Sequence, residues 1–282
     1  MNPNFINPTY VISVNTVNCQ LELKCNGIHL FEYKSKSSAN GNGISISLPI
    51  NHLLLKNKDF SITAKVLPVH SKDSLERTSI ARFQILMLDY IAPKKTMTKL
   101  FEISTPDQTT KNSEIKPKID LEGLPFYQLL GESSAKILPF QLDGWSNSID
   151  LSSISLQKLL MDTFNFYQKV QSIINKKNIE RYLEITTEQD QLLQTAYYYG
   201  PNEIKKERQM VEEIFNEVGL NVIPFNFHDL EMELMGKDNQ LVRLKRKNGL
   251  PVLSLYNPLN QKTVKLDIKL HKKTINAPLS II

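Results

Sequence analysis

The chain has 282 residues, of which 41% are hydrophobic and 22% are charged, and its formal net charge is +5 at pH 7. This composition is typical of a folded globular protein, and the length suits two domains. The basic residues occur as doublets in different predicted elements, such as Lys94–Lys95 and Lys272–Lys273, not as the clustered surface of a nucleic-acid-binding protein. The most apolar window carries Arg82, Gln84 and Asp89, which excludes a membrane span there. We therefore expect neither a nucleic-acid partner nor a membrane partner.

The first half of the chain is predicted to be antiparallel β-structure. Apolar and polar residues alternate over Tyr10–Asn15, and the predicted strands Cys19–Cys25 and Ile28–Tyr33 flank Asn26-Gly27, a dipeptide that favours a two-residue hairpin turn. That turn would place Cys25 opposite Ile28, Leu23 opposite Leu30, and Lys24 opposite His29. Further strands are expected at 44–48, 60–67, 79–90, 97–104 (an edge strand), 126–130 and 137–142, with an exposed loop over about 104–118. Short strands separated by turn residues predict a jelly-roll-like β-sandwich over residues 1–150.

Both cysteines lie in one predicted strand. Six residues at ~3.3 Å each separate Cys19 from Cys25 by roughly 20 Å, whereas a disulfide needs Cα atoms within about 7 Å. We therefore expect two buried free thiols, which favour a reducing compartment. The segment Met1–Tyr10 has no features of an export signal. Together these observations predict a soluble, cytoplasmic protein.

Helical periodicity replaces alternation near residue 150. Apolar residues from Leu156 to Ile174 recur at i, i+3, i+4 and i+7 after Ser155, a residue that suits an N-cap. A second helix is expected from Asn178, with a restart at Thr187. A third helix is expected to begin at Pro201 and stop at Gly219. Its predicted buried stripe is Ile204, Val211, Ile214, Phe215 and Val218.

Residues 230–270 are predicted to form an antiparallel meander. Asn248-Gly249 would make a two-residue turn that sets Leu244 against Leu253 and Val242 against Leu255. One face would be a dry layer beneath the helices, formed by Val242, Leu244, Leu253, Leu255, Val264 and Leu266. The other would be solvated, with Arg243, Lys245, Lys265, Asp267, Lys269 and His271. The predicted fold class is therefore α+β, with a β-sandwich over 1–150 followed over 151–282 by helices packed on an antiparallel sheet.

In element order, residues 151–282 resemble the cystatin-like, or NTF2-like, α+β cone, and residues 10–150 are similar in layout to carbohydrate-binding-module-like sandwiches. The cone resemblance implies a pocket between helices and sheet, which some members use as an active site and others for binding or dimerisation. Many cone domains dimerise through the open sheet face. The predicted cations on that face argue against a hydrophobic dimer here, so we expect a monomer or weak oligomer.

No local pattern predicts catalytic, cofactor-binding or metal-binding residues, and we assign none and expect no cofactor. The five histidines show no ligand-like spacing. No nucleophile elbow is present. Glu184, Glu188 and Asp190 lie close together in sequence, but acidic residues also favour the start of a helix.

Aromatic and basic residues are the remaining interaction candidates. Trp145, the only tryptophan, could fill the junction of the two domains or form an aromatic platform for a sugar or a peptide. Three consecutive tyrosines, Tyr197, Tyr198 and Tyr199, cannot share one helical face, so at least one should reach the surface, for helix-end packing or for recognition. The basic candidates are Arg243, Lys245 and Lys269, which could attract an acidic partner or pair with acidic residues of the neighbouring strand.

The sequence favours a non-enzymatic, two-domain binding protein that acts through another protein, such as an immunity or adaptor protein. Two alternatives stay open. One is a carbohydrate or small-molecule binding protein that uses the sandwich or the cone pocket, which a buried Trp145 would argue against. The other is an enzyme with its site in the cone pocket, for which Tyr182, Glu184 and Tyr197 are the candidates.

Overall fold

The computed structural model describes residues 5–55, 59–89, 96–106, 119–135, 138–248 and 250–282. Within these residues the chain is α+β, with fifteen strands in four antiparallel sheets and three α-helices. It divides into two compact units, Met1–Gln141 and Leu142–Ile282. The predicted fold class, a β-sandwich followed by helices on antiparallel strands, is confirmed.

The first unit is built from two four-stranded antiparallel sheets. Its strands are β1 (Thr9–Val17), β2 (Gln20–Cys25), β3 (Ile28–Tyr33), β4 (Ser45–Pro49), β5 (Asp59–Leu67), β6 (Ile80–Asp89), β7 (Thr96–Ser104) and β8 (Tyr127–Ser134). The sheet orders are β4-β1-β6-β7 and β3-β2-β5-β8. Alternation explains the packing, since Phe60, Ile62, Ala64 and Val66 of β5 are all buried. The rings of Tyr10 and Phe60, from different sheets, meet edge to face with centroids 6.2 Å apart.

Close packing between β7 and β8 depends on a glycine. A Cβ atom at Gly131 would lie 2.0 Å from Ile103 Cδ1 and 2.6 Å from Phe101 Cε2. These distances are far shorter than van der Waals contact, so the two strands approach because residue 131 has no side chain. The expected edge position of β7 is confirmed.

Two details of the first unit differ from the prediction, and a third lies mostly outside the described residues. Leu23 pairs with Phe31 and not with Leu30, because a bulge shifts the register between Leu23 and Lys24, although Cys25 does pair with Ile28 and Lys24 with His29. The expected strand over 137–142 is wrong, since residues 138–142 have no strand structure. Most of the expected exposed loop falls on residues 107–118, outside the described residues.

The second unit begins with helices α1 (Leu156–Asn175), α2 (Ile179–Ala196) and α3 (Pro201–Asn216). The expected restart at Thr187 is wrong: α2 is continuous, and the Thr187 hydroxyl donates to the Leu183 carbonyl within the helix. The Asn178 side chain caps α2 by accepting from the Arg181 N–H. α3 begins at Pro201 as expected but ends before Gly219, and Ile204 and Val218 of its expected buried stripe are exposed.

The strands of the second unit form two sheets, not one meander. They are β9 (Asn221–Val222), β10 (Leu230–Met235), β11 (Leu241–Arg246), β12 (Leu253–Asn257), β13 (Lys262–Leu266), β14 (Leu270–His271) and β15 (Ser280–Ile281). The sheet orders are β10-β11-β14-β15 and β13-β12-β9. The expected pairing of β11 with β12 is wrong, since in the described part of these segments Lys245–Pro251 is an isolated bridge and the two strands belong to different sheets. Pro251 has no backbone N–H to continue the ladder.

The dry layer beneath the helices is nevertheless confirmed. Val242, Leu244, Leu253 and Leu255 are buried in one cluster with residues of α1, and Val264 and Leu266 pack against it. Tyr167 of α1 links the helix to this layer through two hydrogen bonds. Its hydroxyl donates to the Ile268 carbonyl at 2.9 Å and accepts from the Leu244 N–H at 3.2 Å. The inward set survives the change of partner because alternation along each strand does not depend on which strand lies beside it.

Candidate functional site

The predicted cationic exterior of the sheet is wrong at its centre, because Arg243 is buried. Its side chain is only 7% exposed. The guanidinium donates to Glu233 Oε2 at 2.8 Å and to both carboxylate oxygens of Asp267 at 2.9 and 3.0 Å. Burial opposes ionisation of Asp267, but the Lys269 and Arg243 charges outweigh it and lower the pKa of its carboxyl. Charge pairing thus lets an arginine occupy a desolvated position that alternation alone assigned to solvent.

The two candidate lysines of this face are also paired with carboxylates. Lys245 is 35% exposed, with its Nζ 3.8 Å from Glu231 Oε2. Lys269 is half-buried, with its Nζ 3.2 Å from Asp267 Oδ2. The face therefore alternates positive and negative groups, and it lacks the single sign of charge that would attract an acidic partner.

Trp145 lies in a turn over residues 143–148 and is 7% exposed. Its carbonyl accepts from the Ser148 N–H at 3.0 Å, and the Asp143 carbonyl accepts from the Ser146 N–H at 2.9 Å. A sugar-binding platform needs an accessible ring face. The burial of Trp145 thus removes the main sequence argument for carbohydrate binding.

The three tyrosines lie where α2 ends, and all are half-buried. Tyr197 is the C-cap residue, and Tyr198 has a positive φ of 57° that turns the chain sharply. The rings of Tyr197 and Tyr199 consequently lie on the same side, with centroids 6.1 Å apart and planes inclined by 34°. Helical geometry does not predict this pairing, because the chain leaves the helix at Tyr197.

Two carboxylates on different helices, Asp190 and Glu207, interact with each other, and Glu207 also interacts with Tyr199. Burial raises the pKa of Asp190 on α2, although the Thr186 hydroxyl donates to it at 2.9 Å. Burial and the Asp190 charge raise the pKa of Glu207 on α3, which also interacts with Tyr199. Glu207 and the 55% exposed Met210 are three residues apart on α3 and so share a face. We call Tyr197, Tyr198, Tyr199, Asp190, Glu207 and Met210 the tyrosine–acid surface.

The candidates for an enzyme site do not converge. Tyr182 is core, with its ring centroid 5.0 Å from that of Phe215. Glu184 is exposed and forms an ion pair with Arg181 one turn earlier. Tyr197 instead pairs its ring with that of Tyr199 at the end of α2.

A second polar cluster brings together residues that lie far apart in the sequence. His271 of β14, expected on the solvated face, is fully buried. Its Nδ1 lies 2.6 Å from Ser148 Oγ, and its Nε2 lies 3.3 Å from Glu188 Oε2. Glu188 belongs to the continuous α2 and not to a helix start. We call Ser148, His271 and Glu188 the Ser148 site; 40 and 83 residues separate its members in the chain, so no local pattern could reveal it.

No protein-family model matches this chain, and the searches of curated proteins and of solved structures found no significant match. Among the described residues, no three His, Cys, Asp or Glu side chains are placed to hold a metal ion. In the same part of the chain, no helix combines the length and the apolarity needed to cross a membrane.

Proposed function

We propose that this chain is a binding protein that acts through another protein, and that the tyrosine–acid surface is its contact surface. The observation that carries this proposal is the pair of half-buried rings of Tyr197 and Tyr199, with centroids 6.1 Å apart, together with the interaction of Tyr199 with Glu207 and of Glu207 with Asp190. Among the described residues neither carboxylate forms an ion pair with a cation, and the pKa of each is raised. An ammonium or guanidinium group from a partner would relieve their mutual repulsion and lie against aromatic rings.

The chemistry of the surface favours a basic segment of a protein as the partner. Tyrosine gives a large contact area at a low cost in side-chain entropy, and exposed methionine adapts to irregular apolar surfaces. The carboxylates supply complementary charge. An immunity or adaptor role is the class we propose, with the second unit as an NTF2-like domain used for binding.

The cysteines support a reducing compartment. Cys19 and Cys25 are both unpaired and buried. Free thiols persist where the surroundings are reducing. We therefore place the protein in the cytoplasm as part of this proposal.

Affinity purification from the native host, with quantified recovery, tests the proposal. We expect the tagged wild-type chain to retain one stoichiometric protein at low and at moderate salt. Glu207→Lys should abolish this recovery, because it places a cation where the partner's cation would bind. Glu213→Lys is the matched control, since Glu213 is an exposed residue of the same helix on a different face.

Two outcomes would contradict the proposal. One is recovery of no stoichiometric protein by the wild-type chain under either condition. The other is a partner retained equally by wild type, Glu207→Lys and Glu213→Lys, which would mean that binding occurs elsewhere on the chain. Circular dichroism of each variant checks that the charge change leaves the helices intact.

A further inference from the structure

The Ser148 site has the arrangement of an activated serine. The Ser148 hydroxyl lies within hydrogen-bond distance of one imidazole nitrogen of His271, and a carboxylate faces the other nitrogen. We propose that Ser148 is a nucleophile that accepts an acyl group from a carboxylic ester, with His271 as its general base and Glu188 as a positioning residue. This chemistry is separate from the tyrosine–acid surface and does not depend on it.

The geometry assigns a direction to the proton. The carboxylate of Glu188 accepts and cannot donate when ionised, so it favours the tautomer with the proton on Nε2. Nδ1 is then the acceptor for the Ser148 hydroxyl at 2.6 Å. The Nε2–Glu188 contact, at 3.3 Å, is longer and less well aligned than a normal hydrogen bond, so its contribution is mainly electrostatic.

Burial keeps the base in its neutral form. Desolvation lowers the pKa of His271, partly opposed by the Glu188 charge and reinforced by the Lys273 charge. Burial raises the pKa of Glu188, but Lys273 and His271 outweigh this and lower it below its ordinary value. Near neutral pH the site therefore holds a neutral imidazole and an ionised carboxylate, which are the states that the proton transfer requires.

Access differs between the base and the nucleophile. The imidazole is fully buried, whereas Ser148 is a half-buried residue in a turn. Backbone and side-chain contacts fix this turn: the Ile149 N–H donates to the Lys272 carbonyl at 3.0 Å, and Gln240 Nε2 donates to the Ser148 carbonyl at 3.3 Å. In this proposal the ester approaches from the side of Ser148, the more exposed of the two residues, while the buried base is shielded from water.

Acyl transfer to Ser148 proceeds by addition to the ester and elimination of its alcohol. Ser148 Oγ bonds to the ester carbonyl carbon, its proton passes to His271 Nδ1, and the carbonyl electron pair moves onto oxygen. When the intermediate collapses, the carbon–alkoxy bond breaks and the leaving alkoxide takes the proton from Nδ1. The products are acyl-Ser148 and an alcohol. Water then attacks the acyl group by the same route, which releases a carboxylic acid and restores the hydroxyl.

A fluorophosphonate probe tests the nucleophile directly on the wild-type chain. Attack on phosphorus expels fluoride and leaves a covalent adduct that intact mass spectrometry counts and peptide mapping locates. We expect one adduct, on Ser148, formed at least about 10²-fold faster in the folded chain than in denaturant, because general-base assistance contributes roughly that factor or more. No adduct on Ser148, or equal rates in folded and unfolded chains, would overturn the proposal.

Variants separate the roles within the site. Ser148→Ala should abolish labelling, whereas Ser146→Ala, in the same turn, should leave its rate unchanged. His271→Asn should slow labelling about 10²-fold. The rate should rise with pH through the pKa of His271 and then level off, and Glu188→Gln should move that inflection to lower pH, because the Glu188 charge favours the imidazolium. An inflection that stays in place in Glu188→Gln would overturn the role assigned to Glu188, since a structural residue would not move it.

Discussion

Replacing Arg243 by methionine is the sharpest test of the second unit, because the arginine is buried between two carboxylates. Arg243→Met keeps an aliphatic stem but removes the cation that Glu233 and Asp267 share, and only the contact of Lys269 with Asp267 then offsets the charge of that carboxylate. Removing one partner of a fully buried ion pair costs about 3 to 5 kcal/mol. The Asp267 side chain is 32% exposed, so water offsets part of that loss, and we expect a destabilisation of about 2 to 4 kcal/mol.

Urea unfolding followed by tryptophan fluorescence measures this change, since the only tryptophan, Trp145, is buried in the second unit. For an m-value of about 2 kcal/mol/M, the unfolding midpoint should fall by about 1 to 2 M. Lys245→Met is the matched control on the same strand. Its ammonium is more exposed and lies 3.8 Å from its carboxylate, so its loss should cost less than about 1 kcal/mol.

Neutralising the two carboxylates should restore the stability that Arg243→Met loses. The triple variant Arg243→Met, Glu233→Gln, Asp267→Asn removes the uncompensated negative charges along with the cation, and it should recover most of the lost stability. If Arg243→Met is no less stable than Lys245→Met, or if the triple variant is no more stable than Arg243→Met, the desolvated ion network described above is wrong.

Three further predictions concern the first unit. Burial raises the pKa of both cysteine thiols to about 12, so 5,5′-dithiobis(2-nitrobenzoic acid) at pH 8 should detect no thiol in the folded chain and two in denaturant; rapid reaction of the folded chain would contradict their burial. Gly131→Ala should destabilise the sandwich by about 1 to 3 kcal/mol through overpacking against Ile103, measured by thermal unfolding, whereas Leu130→Ala, an exposed neighbour, should change stability by less than about 0.5 kcal/mol. Hydrogen bonds and charge from His29 and Lys34 outweigh the effect of burial and lower the pKa of the Glu32 carboxyl from 4.5 to about 2. Because this pKa is depressed in the folded state, ionised Glu32 stabilises the fold fully above pH 4.5, and this contribution is lost as the pH falls towards 2. An equally steep loss of stability in acid for Glu32→Gln would contradict this prediction.

Period-two alternation predicted the strands and the buried layers because it is a local property of the chain. The inward residues of β5 and the layer around Val242 and Leu255 follow from it directly. Alternation gives the side on which a residue lies, but it does not give the partner strand. Pro251 interrupts the ladder after β11, and the expected hairpin is therefore replaced by two sheets.

The face of the sheet on which a residue lies also does not predict whether its side chain is exposed to solvent. Arg243 and His271 lie on the side that alternation assigned to water, yet both are buried, because carboxylates from other segments pair with them. Glu188, the partner of His271, is distant from it in sequence. Glu233 lies opposite Arg243 on the neighbouring strand, and Asp267 follows β13. The Ser148 site could not be predicted for the same reason, since tertiary folding alone brings its members together.

The beginning and the end of the second unit lie next to each other. Ser148 contacts His271, and His271 pairs in turn with Ser280 through the two-residue ladder of β14 with β15. A pulling force applied between residue 148 and Ile282 would therefore act first on that short ladder. We expect the terminal segment to peel away at low force, one hydrogen bond at a time, while the longer ladder between β10 and β11 remains unloaded.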